Sequence, residues 1–295
     1  MTQSVNLFYN DFPDSGLGDR LIDVYLLSTV GYCIPGVSKV IIPWRKFQKY
    51  QAHHTVPEYR FTDIQLSNVL SHMNFPSNVI AVDVEKTSQY RSDLPVQEVN
   101  YCTNGSARWV SNLDTDRNLV RFHKELLAKI PYETVIRSST RALSEFTFTE
   151  NTTSMIGESC VQPYASVHIR RTDKVRSSKA DDLMISNDEL YLLNQKTFDA
   201  IECFAKERGM NTFYVCSDDE ESAKPFIERI VKLGCRLIST PTVERWKTTF
   251  CDLAMMSKSD VIIQSQVSSV FSNMACLIGN TKPFNVLTHS PKDWK

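Results

Sequence analysis

Ala165-Ser166-Val167-His168-Ile169-Arg170-Arg171-Thr172-Asp173-Lys174 passes directly from a β-forming apolar segment into a cluster of charge. A short apolar run that ends abruptly in cations reads as a buried parallel strand leaving its sheet. A polar loop follows. Then Ser186 and Glu189, three residues apart, form a capping box that opens a long helix. Leu190, Leu193, Phe198, Ile201 and Phe204 approximate its apolar face, as core positions rather than a cofactor box. The rhythm then repeats, with strands predicted over 212–216, 236–238 and 260–263 and helices over 220–233, 248–258 and 268–277. Gly234 ends the helix over 220–233. Strand and helix in alternation predict an α/β fold, a parallel sheet wound with helices on both faces.

Upstream, the pattern is less regular. A strand over 4–9, a turn-rich stretch over 11–18 and a helix over 19–30 give a strand, a glycine loop and a helix. Strands over 39–42 and 78–82 and helices over 116–129 and 133–145 follow. The stretch 44–73 has no assignable pattern; its His53, His54 and His72 fit ordinary surface or core positions better than a cleft. Residues 148–163 are polar and aperiodic, so the domain boundary is placed there, giving an N-terminal α/β domain over 1–155 and a second over 156–295.

At 295 residues the chain has room for two cores, and its 42% hydrophobic and 23% charged composition is that of a folded globular protein. The 33 Lys and Arg against 34 Asp and Glu give a net charge of -1, which supplies no global attraction to nucleic acid or an anionic membrane. No stretch approaches a transmembrane span, and the polar start is not a signal peptide. The expectation is a cytoplasmic protein of a bacterium or a virus-infected cell, or a soluble piece of a larger one. The eight cysteines show no metal-site spacing and read as buried reduced thiols. The sequons at Asn104 and Asn151 matter only in a secretory pathway.

Ligands of open parallel sheets bind beyond the carboxyl ends of the strands. Three such ends carry chemistry: Arg170-Arg171-Thr172-Asp173-Lys174, Ser217-Asp218-Asp219, and Gln264 to Ser269. Alone, the arginine pair reads as a solvated cluster, and Asp218-Asp219 and Ser268-Ser269 as helix caps. Together on one sheet edge they supply cations for phosphates, carboxylates for a base or ribose, and hydroxyls at a helix start, the inventory of a nucleoside diphosphate site. Gly16-Leu17-Gly18-Asp19-Arg20 lacks the third glycine of a dinucleotide fingerprint, so hydride transfer is a poor reading.

These residues resemble the fucosyltransferase superfamily of GT-B glycosyltransferases, which includes α1,6-, α1,2- and protein O-fucosyltransferases, most strongly the α1,6 type. His168-Ile169-Arg170-Arg171-Thr172-Asp173 matches its His-x-Arg-Arg-x-Asp strand end, with Lys174 also agreeing. Ser217-Asp218-Asp219 matches its second motif, and Asp252, Ser257, Asp260 and Ser268-Ser269 its third. The similarity spans about 164–279, and the Gly16-x-Gly18 loop adds to it.

The resemblance implies two Rossmann-like domains facing a cleft, the first on the acceptor side and the second holding the donor. It also implies an inverting transfer of L-fucose from GDP-fucose to a glycan hydroxyl, with no metal and no cofactor. Arg170 and Arg171 then stabilise the leaving diphosphate, a task suited to a guanidinium fork. His168, Lys174, Asp218, Asp219, Ser268, Ser269, Gly16 and Gly18 line the donor site. The chain departs from the α1,6 enzymes where they carry a glutamate, because Arg176-Ser177-Ser178-Lys179 has no carboxylate. The general base is therefore open among Asp173, Asp181, Asp182, Asp14 and Asp19. Two other readings stay in play: the same architecture with another donor, such as UDP-xylose, and a non-catalytic nucleotide-sugar or glycan-binding module.

Overall fold

The computed structural model describes residues 4–9, 16–44, 65–83, 90–99, 130–157, 163–171, 186–265 and 269–291. The chain divides into two compact units that part between Asn151 and Thr152.

The first unit is built on a four-stranded sheet of β1 (Val5–Tyr9), β2 (Val37–Pro43), β4 (Val79–Val82) and β5 (Val96–Val99), in the order β4-β2-β1-β5. Every pairing in it is parallel. Helix α1 (Leu17–Cys33) connects β1 to β2 and is buried on nearly every side. It packs on β2 and on α3 (Tyr132–Glu145). A Cβ on Gly31 of α1 would stand 2.5 Å from Val40 Cγ2 and 2.8 Å from Asn78 Nδ2, so the missing side chain is what lets helix and sheet approach. Ser28 Oγ donates to Asn78 Oδ1 at 2.7 Å, and Asn78 Nδ2 returns a bond to Ser28 O at 2.9 Å, closing the same contact. Helix α2 (Leu66–His72) leads into β3 (Met73–Asn74), which pairs antiparallel with β6 (Thr147–Phe148). The polar stretch expected to be aperiodic contains α4 (Glu150–Ile156), too short to display a period. Thr149 Oγ1 and Asn151 Nδ2 hold its start by donating to Ser71 O.

The second unit follows the sequence pattern. Its strands are β7 (Ala165–Ile169), β8 (Thr212–Ser217), β9 (Arg236–Ile238), β10 (Val261–Ser265) and β11 (Lys282–Asn285). They pair in the order β11-β10-β7-β8-β9, all parallel. Between them run α5 (Asn187–Lys206), α6 (Glu220–Lys232), α7 (Arg245–Ser257) and α8 (Val270–Gly279). The capping box forms: Glu189 N–H donates to Ser186 Oγ at 3.2 Å, and Ser186 N–H to Glu189 Oε2 at 2.8 Å.

Alternation along the strands sorts the side chains onto two faces. Ala165, Val167, Ile169, Phe213, Val261 and Ile263 pack with Leu193, Ile201 and Phe204 of α5 and Phe226 and Ile230 of α6. Ser166, His168, Tyr214, Cys216, Ile262 and Gln264 take the opposite face, where α7 and α8 pack on the sheet. The last strand, β11, carries Pro283 and among the described strands pairs only with β10, an edge position where a strand tolerates proline. The two parallel sheets with their helices bear out the α/β class. The helix expected over 116–129 lies outside the described residues.

Candidate active site at the second sheet

Strand β7 lies in the middle of its sheet. The chain leaves it through β8 and β9 on one side and returns to β10 and β11 on the other. The connections after β7 and β10 therefore diverge, and the gap between those two carboxyl ends is the switch point where ligands of such sheets bind. In register, Gln264 stands beside His168 and Ser265 beside Ile169, and on the other flank His168 pairs with Cys216 and Ile169 with Ser217.

The two arginines that follow β7 have different environments. Arg171 continues the alternation of Val167 and Ile169, and its guanidinium is turned into the protein at 3% exposure. Nη1 donates to Ser265 O at 2.5 Å and to Arg170 O at 3.3 Å, and Nη2 to Ser265 Oγ at 2.7 Å and Asn194 Oδ1 at 3.0 Å. That uses the Nη groups and leaves Nε among its donors. Its own backbone N–H donates to Asp218 Oδ1 at 2.8 Å. Burial lowers the Arg171 pKa to about 10, with the Asp218 charge pulling the other way. Arg170, the first residue past β7, is only half-buried. The expectation that both arginines hold phosphate thus meets a division of labour: Arg171 is tied into the fold, and Arg170 stands at the switch point.

Ser269 is the N-cap residue of α8, yet its side chain makes no capping bond. Its Oγ is buried without a hydrogen-bond partner, in a residue 1% exposed. A buried hydroxyl left unpaired at a helix start, beside N–H groups that lack intrahelical acceptors, is suited to an anion. The start of α8 is fixed from below by Gln264, whose Nε2 donates to Ser272 Oγ at 2.9 Å and to Asn273 Oδ1 at 2.8 Å. The His168 ring lies 5.9 Å from that of Phe271, in the first turn of the same helix.

At the end of β8, Asp218 caps the Arg171 amide as described. Asp219 occupies the N-cap position of α6 without accepting a capping bond; its Oδ2 receives Ser222 Oγ at 2.6 Å. Ser217 Oγ donates to Asp219 O at 2.8 Å and tightens the turn. On the same face Tyr214, Cys216 and the half-buried Asp252 come together. Tyr214 OH donates to Asp252 Oδ1 of α7, and burial raises the Asp252 pKa to about 6 against the opposing pull of Tyr214, Cys216 and Arg245. Burial likewise pushes Tyr214 and Cys216 well up, so both stay protonated near neutrality.

In the first unit, Gly16 is the N-cap residue of α1, and Gly18 and Asp19 lie in its first turn, just past the carboxyl end of β1. Gly16 has φ -63 and open space around its missing Cβ, so backbone geometry alone does not demand glycine there. Asp19 is half-buried where a carboxylate favours the helix dipole. His72 is buried at the end of α2. Asp14, Asp173, Lys174 and Ser268 lie outside the described residues, as do Asp181, Asp182, His53 and His54. Among the described residues no group of three His, Cys, Asp or Glu is arranged to hold a metal ion. No described helix is long and apolar enough to cross a membrane. The six described cysteines are free thiols, five of them buried.

Sequence reading missed Asn194 and Thr197 of α5, which complete the setting of Arg171. Thr197 Oγ1 lies 2.7 Å from Ser265 Oγ. The available signal was parity: Arg171 falls on the face of Ile169, so polar residues on the α5 face were its natural partners.

No family model matches the sequence, and no curated protein matches it. Among solved structures, the chain is similar to the NodZ α1,6-fucosyltransferase soaked with GDP-fucose, at 11% identity and a TM-score of 0.48, over 94% of this chain and 93% of that one. It is also similar to the fucosyltransferase NodZ from Bradyrhizobium, at 12% identity and a TM-score of 0.49 over 94% of each chain. POFUT1 in complex with GDP-fucose matches at 14% identity and a TM-score of 0.47, over 95% of this chain and 97% of that one. With identities and scores of this size, the functional case rests on the residues of the site.

Proposed function

We propose that the chain is a glycosyltransferase that binds a nucleoside diphosphate sugar, GDP-fucose before others, at the β7–β10 switch point, and transfers the sugar with inversion to a glycan hydroxyl. The observation that carries this is the pairing of a cation and an unpaired hydroxyl at one crevice: Arg170 at the end of β7 and buried Ser269 at the start of α8. When the bond between sugar and phosphate breaks, negative charge grows on the departing diphosphate. The Arg170 guanidinium and the first N–H groups of α8 stabilise that charge, the role a divalent cation fills in other transferases. His168, Asp218 and Asp219 are the residues proposed to line the nucleotide. Asp173, Asp181, Asp182, Asp14 and Asp19 remain the candidates for the base that deprotonates the acceptor.

A thermal-shift panel of GDP, UDP, GDP-fucose and UDP-sugars tests the donor, because a ligand that binds only the folded state raises its melting temperature. GDP and GDP-fucose are expected to stabilise most; a larger shift with UDP-sugars rejects the guanine donor. Donor turnover is expected to persist in excess EDTA and to fall by orders of magnitude in Arg170→Ala with melting intact. Loss of turnover on chelation, restored by magnesium or manganese, would refute the metal-independent mechanism.

A further inference from the structure

Helix α5 opens on a face that the core does not use. Tyr191 and Leu192 are 67% and 51% exposed, and among the described residues they are the one pair of exposed large hydrophobics adjacent in the chain. Tyrosine is only a middling helix former, and Leu193, Thr197 and Ile201 already fill the inward face, so neither folding nor packing asks for Tyr191. A neighbouring bond fixes its position. Asn194 Oδ1 accepts from Arg171 Nη2 at 3.0 Å, so this turn of α5 lies beside the carboxyl end of β7. Residues three and four apart share a helical face, which sets Tyr191 one turn before Asn194, and Asn187 and Asp188 one turn before Tyr191. Because α5 joins the parallel strands β7 and β8, it runs back against them, and each step toward its start leads outward past the sheet edge. Tyr191 therefore stands roughly 4–5 Å beyond Asn194 along the helix axis, with the exposed Asn187 and Asp188 further out.

We infer that Tyr191, with Leu192 and the polar side chains of Asn187 and Asp188, is a platform for a neutral sugar residue of the acceptor glycan. This rests on the proposed glycosyl transfer and names a specificity-determining surface for it. A sugar ring carries C–H groups on its face and hydroxyls around its rim. The electron-rich face of a tyrosine meets such C–H groups over a large, rigid area, while a carboxylate or an amide alongside takes the hydroxyls. Asp188 and Glu189 make the first turn of α5 acidic, which disfavours a negatively charged sugar. The two faces of the sheet sort the two substrates. Helix α8 packs on the face of His168 and Gln264, and α5 on the face of Val167 and Ile169. Inversion brings the incoming hydroxyl from the side opposite the leaving group, and with the diphosphate at the start of α8 that is the side α5 borders.

The test is binding of the full chain to an array of neutral and acidic glycans, with and without GDP, in wild type, Tyr191→Ala and Tyr191→Phe. Melting temperature and calorimetric GDP affinity accompany it. Both variants are expected to melt with the wild type, as changes at exposed positions do, and to bind GDP equally. Tyr191→Ala is expected to bind the neutral glycans held by the wild type about tenfold more weakly, and Tyr191→Phe, which keeps the ring, to stay within about twofold. Unchanged neutral-glycan binding in Tyr191→Ala would overturn the inference, as would equal loss in Tyr191→Phe or a wild type that prefers acidic glycans. Loss of GDP affinity in Tyr191→Ala overturns the assignment to the acceptor. A wild type that holds neutral glycans through Tyr191 yet binds no nucleotide defeats the transferase reading and leaves the platform standing. One that binds GDP but no neutral glycan defeats the platform alone.

Discussion

Replacing Arg171 by methionine keeps an unbranched apolar stem and removes the fork, and its cost can be built from the bonds it breaks. Ser265 O, Ser265 Oγ and Asn194 Oδ1 each lose a donor, in surroundings where Ser265 is fully buried and Asn194 half-buried. A buried acceptor stripped of its partner costs about 2 kcal/mol, so the three together cost roughly 6 kcal/mol. Against this stands the relief of no longer burying a cation. With the pKa brought from 12.5 to about 10, the charged form sits on the order of 3 kcal/mol above its state in water. The net loss is about 3 kcal/mol, which for a unit of this size lowers the melting midpoint by roughly 6–12 °C. Arg170→Met replaces a half-buried side chain and not a buried fork, and its midpoint is expected to fall less than that of Arg171→Met. Calorimetry of both variants without ligand is the assay. Equal melting of Arg171→Met and wild type, or equal destabilisation of the two variants, would refute the division of labour.

Asp252 and Glu145 should titrate stability in opposite senses. The folded state raises the Asp252 pKa from 3.8 to about 6, so it holds a proton that the unfolded chain has released. Its contribution is full below about pH 4 and fades as the pH rises through 6, after which the buried charge opposes folding. Asp252→Asn is therefore expected to melt above the wild type at pH 7.5, by a gain on the order of 2 kcal/mol, and with it at pH 4; a gap independent of pH would contradict this. For Glu145, burial favours the neutral form but is outweighed by the Tyr32 hydroxyl, the Ser77 N–H and Arg141, and the pKa falls from 4.5 to about 2. Its stabilisation is present above pH 4.5 and lost as the pH drops through 2, so Glu145→Gln should cost about 1–2 kcal/mol at pH 7 and little at pH 2, as chemical denaturation at the two pH values would report. Gly279→Ala would place a Cβ 1.7 Å from Ser257 O, where the ends of α7 and α8 meet. A shift of the helix is the only escape, at about 3 kcal/mol or more. Because α8 carries Ser269, nucleotide-induced stabilisation should shrink in that variant, and a normal ligand shift would argue that α8 has not moved.

The second unit was legible in sequence because its strands are buried on both faces and its helices expose one. Residues 165–169 and 212–217 read as apolar runs, and α5 and α6 display a helical stripe beside charged residues. The first unit was harder for the opposite reason. Helix α1 is covered on nearly all sides, with Arg20, Asp23, Ser28 and Thr29 buried beside its leucines, so polarity no longer reports which face is inside. The Arg20 guanidinium lies 5.1 Å from the centre of the Trp44 ring, an aromatic partner that no local pattern announces. The paired β3 and β6 have two residues each, below the length at which alternation can be seen.

For the site, motif and parity carry different information. The string His168-Ile169-Arg170-Arg171 says that two cations stand at a strand end but treats them as equivalent. Period-two alternation separates them: Arg171 inherits the face of Val167 and Ile169, and Ser265 that of Val261 and Ile263, so the two meet over α5. Gln264 keeps the face of Ile262 and His168 and stands on the side of α8, and Arg170, one residue past the strand, is left half-buried. One residue of displacement along the chain thus separates an arginine turned into the fold from one left half-buried. A frame shift would exchange the two environments, because the pleat allows only two directions. Arg171 must therefore be held as firmly as the strand itself. The Arg171 amide bonded to Asp218 and the fork bonded to β10 and α5 provide that restraint from three separate elements.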